Sequence, residues 1–181
     1  IGGSSGQVEP YSFQGSNWAF NAGGNPGTGW GGSPTDQISK FSLTSDGSGV
    51  DVANLTDDRQ STAGAGSKTH SYTISGYHSG YLNVVDKFSF TSGTDATDVG
   101  DLTISKASMG SSSSGDNVYG AGGDTSGGDT ARIDKISTSS DGNSTDAGDL
   151  TSDRQYSAGS PSSTHGYTSG GRSPVQNVID K

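Results

Sequence analysis

No cysteine occurs in the 181 residues, which excludes disulfides, zinc–thiolate sites and thiol nucleophiles. Large apolar side chains are scarce. Leu, Ile, Val and Phe together number 26, about 14% of the chain. A share below ~20% combined with a high net charge marks a disordered chain. Here the net charge is only −9, so half of that condition fails. Positive charge is also thin. Ten Lys and Arg are spread without a cluster, which argues against a nucleic-acid partner, since phosphate binding needs concentrated positive charge. No apolar run approaches the ~18 residues that span a bilayer, so membrane insertion is not expected. The sequence opens on Ile1 without a basic stretch leading into an apolar one, so no signal peptide is visible. What is abundant is Gly, 31 residues, with Ser, Thr and Asp. Composition alone therefore reads as linker.

The order of residues overrules composition. Ile38, Val85, Ile133 and Ile179 recur at spacings of 47, 48 and 46, each followed two residues later by Lys40, Lys87, Lys135 or Lys181. Leu55, Leu102 and Leu150 recur in "VANLT", "VGDLT" and "AGDLT". Phe20, Tyr72, Tyr119 and Tyr167 each lead small residues ending in Gly, and "DDRQSTAG" at 57–64 returns as "SDRQYSAG" at 152–159. A period near 47 residues marks a repeat architecture. Each unit holds four short stretches separated by Gly, Ser, Asp or Pro. "VVDKFSF" (Val84–Phe90) alternates, with Val85, Lys87 and Ser89 on one side and Val84, Asp86, Phe88 and Phe90 on the other, as a strand does. "TSDGSG" and "SSDGNS" carry Asp-Gly, where Gly supplies the positive φ of a hairpin turn. No stripe has helical spacing. The expected fold is all-β in one repeat domain over residues 1–181, in units near 1–55, 56–102, 103–150 and 151–181, the first and last incomplete.

Four strands in about 47 residues is the size of a β-propeller blade. The word order, seen in "DRQYSAGSPSSTHGYTSGGRSPVQNVIDK" (Asp153–Lys181), resembles the kelch repeat. It departs from kelch where "TDVGDLT" lacks the last-strand Trp and where Gly-Gly becomes Ser75-Gly76. The phrases "NVVDKFSFTSGTDATDVGDLT" and "STHGYTSGG" are similar to repeats in structural and tail-fibre proteins of marine bacteriophages. That resemblance covers most of the chain from about Thr35. It implies about four kelch-like blades of four antiparallel strands, part of a larger propeller or array. It also implies a virion or extracellular location, with other virion subunits or further copies of the chain as partners. With Phe20 aligned on Tyr119, residue 1 falls opposite Gly100 and the chain stops within a third strand. A piece of a longer array is thus expected over a closed ring.

Candidate sites are few. His70 and His165 occupy one repeat position, so they are read as structural, bonding to a neighbouring blade. The Asp-rich loops lack the ligand spacing and closing Glu of a calcium loop and read as turns. No Ser-His-Asp set stands out, and no cofactor is expected. Asn54 and Asn143 stand in glycosylation patterns, Asn54 where other units have Asp101 and Asp149. The segments after the Gly-Gly words differ between units, and variable loops on a repeating frame are where binding resides. Trp30, Tyr77, His78 and Tyr81 lie there. Their rings, beside Asp and Asn, suit a surface glycan, while Trp30, Tyr77 and Tyr81 equally suit covering an adjacent blade or a subunit interface, which makes a non-enzymatic scaffold or an extracellular lectin the two leading readings.

Overall fold

The computed structural model describes residues 17–27, 32–162, 164–172 and 175–181. Strands but no helix occur among them. β1 (Trp18–Gly24), β2 (Thr35–Ser42) and β3 (Val50–Arg59) form sheet one in chain order. β4 (Ala63–Gly66), β5 (His70–Ile74), β6 (Val84–Ser89) and β7 (Thr97–Asp101) form sheet two, also in chain order. Sheet three is β8 (Gly110–Ser113), β9 (Asn117–Ala121), β12 (Arg132–Ser137) and β13 (Thr145–Asp149). A two-stranded ribbon, β10 (Asp124–Thr125) and β11 (Gly128–Asp129), projects between β9 and β12. Sheet four is β14 (Ala158–Pro161), β15 (Gly166–Ser169) and β16 (Ile179–Asp180). Every pairing is antiparallel. Packing among the described residues runs from each sheet to its neighbour in sequence and does not close a ring.

The alternation of β6 shows how so few apolar residues make a core. Val85 pairs with Ile74, and both join a layer with Tyr72, Leu102, Met109 just ahead of β8 and, from sheet three, Val118 and Ile136. Phe88 points the other way, into a layer with Ile38, Ala53, Leu55 and Phe20 of sheet one. One strand thus serves two layers, because successive strand residues face opposite sides. Each large side chain fully buried this way contributes about 1.5–3 kcal/mol. Phe20 completes its layer by meeting Phe88 edge-on and stacking on Phe90, both with ring centres 5.5 Å apart.

The Gly-Gly words have a local cause. Gly122 and Gly123 take φ of 70° and 118°, and Gly170 and Gly171 take 65° and 112°. A Cβ at Gly122 would also lie 2.6 Å from the Arg154 carbonyl oxygen. Only glycine satisfies both demands without strain. Ser75, φ 54°, stands at the same position in sheet two. Its hydroxyl lies within hydrogen-bond distance of the carbonyls of Leu82, at 2.6 Å, and Lys106 and shares its one proton between them, so the close approach becomes a bond. Of the two Asp-Gly turns, Gly142 adopts a left-handed φ of 149° and Gly47 does not. The feature shared by these hairpins is instead a hydroxyl. Ser42, Ser89 and Ser137 each accept the amide two residues on, from Thr44, Thr91 and Ser139. This side chain–backbone bond sets the turn before any glycine is needed.

Candidate functional site

The most buried polar atoms lie where one sheet hands over to the next. Arg59, at the end of β3, pairs with Asp86 in β6, and both side chains are fully buried. Lys106, between β7 and β8, faces Asp134 in β12 at 2.9 Å, again fully buried. Arg154, between β13 and β14, pairs with Asp180 in β16. The cations recur at spacings of 47 and 48, the carboxylates at 48 and 46. Thr56 reaches Asp86 through its amide and hydroxyl, each at 2.8 Å. Thr103 does the same to Asp134, at 2.9 and 2.6 Å. Lys106 also donates to the carbonyls of Gly120 and Arg132, at 3.0 Å each. An ammonium with three acceptors is a satisfied structural charge.

The titration behaviour agrees with that role. Burial pulls Lys106 below the ordinary lysine value, against the opposing pull of Asp134. Burial pushes the Asp134 carboxyl upward, but the Lys106 charge and the Thr103 bonds outweigh it and hold the group below its ordinary value. Burial likewise lowers Arg154.

The histidines are structural, but not as expected. His70 Nδ1 bonds the adjacent Thr69 hydroxyl at 2.8 Å, and His165 bonds Thr164 identically. Neither of these bonds reaches a neighbouring sheet. The reason is the four-residue turn that starts each second strand, where the Ser67 and Ser162 hydroxyls take the histidine amides at 3.1 and 3.0 Å. No metal-binding group of three His, Asp or Glu exists among the described residues.

Three of the four expected ligand-facing residues come together. Tyr77 and Tyr81 pair across a tight loop, rings edge-on at 5.3 Å. His78 sits between them in sequence, with its ring nitrogen 3.4 Å from Asp57. Trp30 lies outside the described residues. Tyr81 is committed to packing, since its hydroxyl donates to Asp124 at 2.6 Å. That bond first, then burial and the Asp124 charge, push it up to about 12. Tyr77 is 36% exposed.

The surrounding loops are stitched edge to edge. Asn25 donates to the Gln60 side chain at 3.0 Å, and Gln60 is bridged to Tyr77. Gln155 donates to Asp129 at 2.9 Å and is bridged to Arg172. Tyr156 and Arg172 also belong to this end, with the guanidinium 4.7 Å from the ring centre. No known protein-family model matches the chain, and no curated protein shows significant similarity to it. The site therefore rests on its geometry.

Tyr156 was not legible as a site residue, although a signal existed. It occupies the place of Ser61 and Ser108, and all three have left-handed φ of 54–57°. A bulky ring there is a departure from the repeat at a strained position. A depression of about 430 Å³ runs over β4, β8 and β14 and is lined by Gly64, Ala65, Ser111, Ser112, Gly159 and Pro161 among others. No charged side chain lines it among the described residues.

Proposed function

We propose that the chain is a non-enzymatic scaffold of a bacteriophage virion, within a tail fibre or surface appendage. Its stacked sheets would be blades of a kelch-like propeller or array that present loops to a host surface. The observation that carries this is the recurrent buried latch. Each of its three cations pairs with a carboxylate where one sheet meets the next, and Thr56 and Thr103 bind two of those carboxylates. A frame built of repeated neighbour contacts suits an extended spacing role. The virion assignment rests on the resemblance of the repeat words. Mass spectrometry of purified particles from the source tests it. Peptides of this chain should copurify at constant stoichiometry with capsid protein, and their absence from particles that retain their tails would overturn the reading.

The second reading is a cell-surface or secreted glycan-binding protein, favoured by the exposed Tyr77 beside His78, Tyr81, Tyr156 and Arg172. An aromatic face stacks on sugar C–H groups, while Arg172 and Asp124 offer hydrogen bonds. Glycan-array binding that falls at least tenfold in Tyr77→Ala is expected on this reading. Binding that survives Tyr77→Ala and Tyr156→Ala together would remove the site.

A further inference from the structure

We infer that Asp57 reads the sugar hydroxyls beside Tyr77, and that the ligand is a neutral glycan, not one bearing carboxylate or sulfate groups. This rests on the glycan-binding reading of the site and names what that site accepts. Aligning the units isolates the residue. With Leu55, Leu102 and Leu150 superposed, Asp57 stands where the later units have Ile104 and Ser152. The bridges Gln60–Tyr77, Ala107–Asp124 and Gln155–Arg172 mark one repeat position in three sheets, so His78 stands where the next unit has Thr125. Both residues depart from the repeat, one near the end of β3 and the other in the loop between β5 and β6. The fold brings these two departures together at 3.4 Å, where sheet one hands over to sheet two.

Asp57 differs from the other carboxylates close to these loops. Asp86 is fully buried in a latch, and Asp124 takes the Tyr81 hydroxyl. The Asp57 side chain is 50% exposed, and among the described residues its carboxylate takes no hydrogen bond. Gln60, three residues on, is bridged to Tyr77, and His78 follows Tyr77 directly, so two connections hold this carboxylate close to the exposed ring. A carboxylate accepts hydroxyls through both oxygens, and such charge-assisted bonds are about twice as strong as neutral ones. A pyranose with its C–H face on Tyr77 offers its hydroxyl edge to that acceptor. A carboxylated or sulfated sugar instead meets like charge, first from Asp57 and then from Asp124, and like-charge contact is what rejects a wrong ligand. Arg172 stands two repeat places from Tyr77, with Asp124 between them.

Binding of the 181-residue chain to neutral gluco-, galacto- and manno-oligosaccharides, beside uronate and sulfated oligosaccharides of equal length, tests this. Neutral glycans should bind, and the acidic ones should bind roughly tenfold more weakly or worse. Affinity for the best neutral glycan should change less than about twofold between about 50 and 500 mM salt, since no ion pair with the ligand is screened. Asp57→Asn should lower that affinity roughly tenfold, the worth of a hydrogen bond to a charged group. Its melting temperature should be unchanged, because an exposed ion pair adds little stability. It should also narrow the discrimination against uronates, which a merely structural role of Asp57 would leave as it is. Binding that Tyr77→Ala abolishes and Asp57→Asn leaves intact would overturn the inference while the glycan reading stands. So would acidic glycans that bind as tightly as neutral ones. Failure of every glycan to bind would overturn the glycan reading, and the inference with it.

Discussion

Lys106 and Asp134 show how a single buried pair shapes behaviour. Removing one partner leaves the other charge in an apolar layer, which costs about 3–5 kcal/mol. Asp134→Asn keeps the shape and removes the charge, so its loss of stability should fall at the low end of that range. The pH dependence has a definite sign. A carboxyl held below its ordinary value contributes stability that is complete above that value and is lost as pH falls through the folded one. The difference in melting temperature between wild type and Asp134→Asn should therefore be constant near neutrality and shrink below about pH 4. A constant difference down to pH 2 would show that the carboxylate is not the stabilising group. Ser108 offers a contrasting test. It holds φ 57°, donates its amide to Ser61 at 2.9 Å and accepts that of Tyr156 at 2.7 Å. Ser108→Gly should be neutral or slightly stabilising. Ser108→Val should cost about 1–2 kcal/mol in urea unfolding, since a β-branched residue disfavours the left-handed region.

At the scale of strands and hairpins, two approaches fix how sheets meet. On the outer side, the Asn54 amide donates to Asp95 at 2.9 Å, and the Asp101 amide to Asn143 at 3.0 Å. The amide and the carboxylate have exchanged sides between the two interfaces, and neither interface sets two carboxylates together. Asn143→Asp should destabilise by about 0.5–1 kcal/mol, and adding Asp101→Asn should restore most of that in a double-mutant cycle. On the inner side, a Cβ at Gly159 would lie 1.8 Å from the Ser111 carbonyl oxygen. Gly159→Ala should cost about 1–3 kcal/mol and raise amide exchange in β14 and β15 first. Much of this level was legible in the sequence. The spacing of Ile38, Val85, Ile133 and Ile179 located the third strands, and the alternation of Val84–Phe90 placed Val85 and Phe88 on opposite faces. The latches were half legible. "DRQ" occurs twice and "IDK" twice, with "VDK" in the second unit, but nothing in their separation says that Arg59 reaches Asp86. Lys106 inside "ISKAS" hid the third cation among drifted residues. The His70 role was misjudged because a repeated histidine suggests contact between repeats, whereas the repeated object here is a local serine–threonine turn.

Over the whole molecule, stability becomes a sum over neighbouring sheets. A chain with 26 large aliphatic and Phe residues builds two thin apolar layers, one between sheets one and two and one between sheets two and three, and a buried latch joins each sheet to the next. Such an array has no single centre whose loss unfolds everything at once. Hydrogen–deuterium exchange on Asp86→Asn, Asp134→Asn and Asp180→Asn tests this most directly. Each variant should lose protection at its own crossover, around residues 56–60, 103–107 or 151–155, and in the two sheets that meet there, while the sheets not at that interface keep theirs. Equal loss of protection across all four sheets in every variant would contradict the latch account.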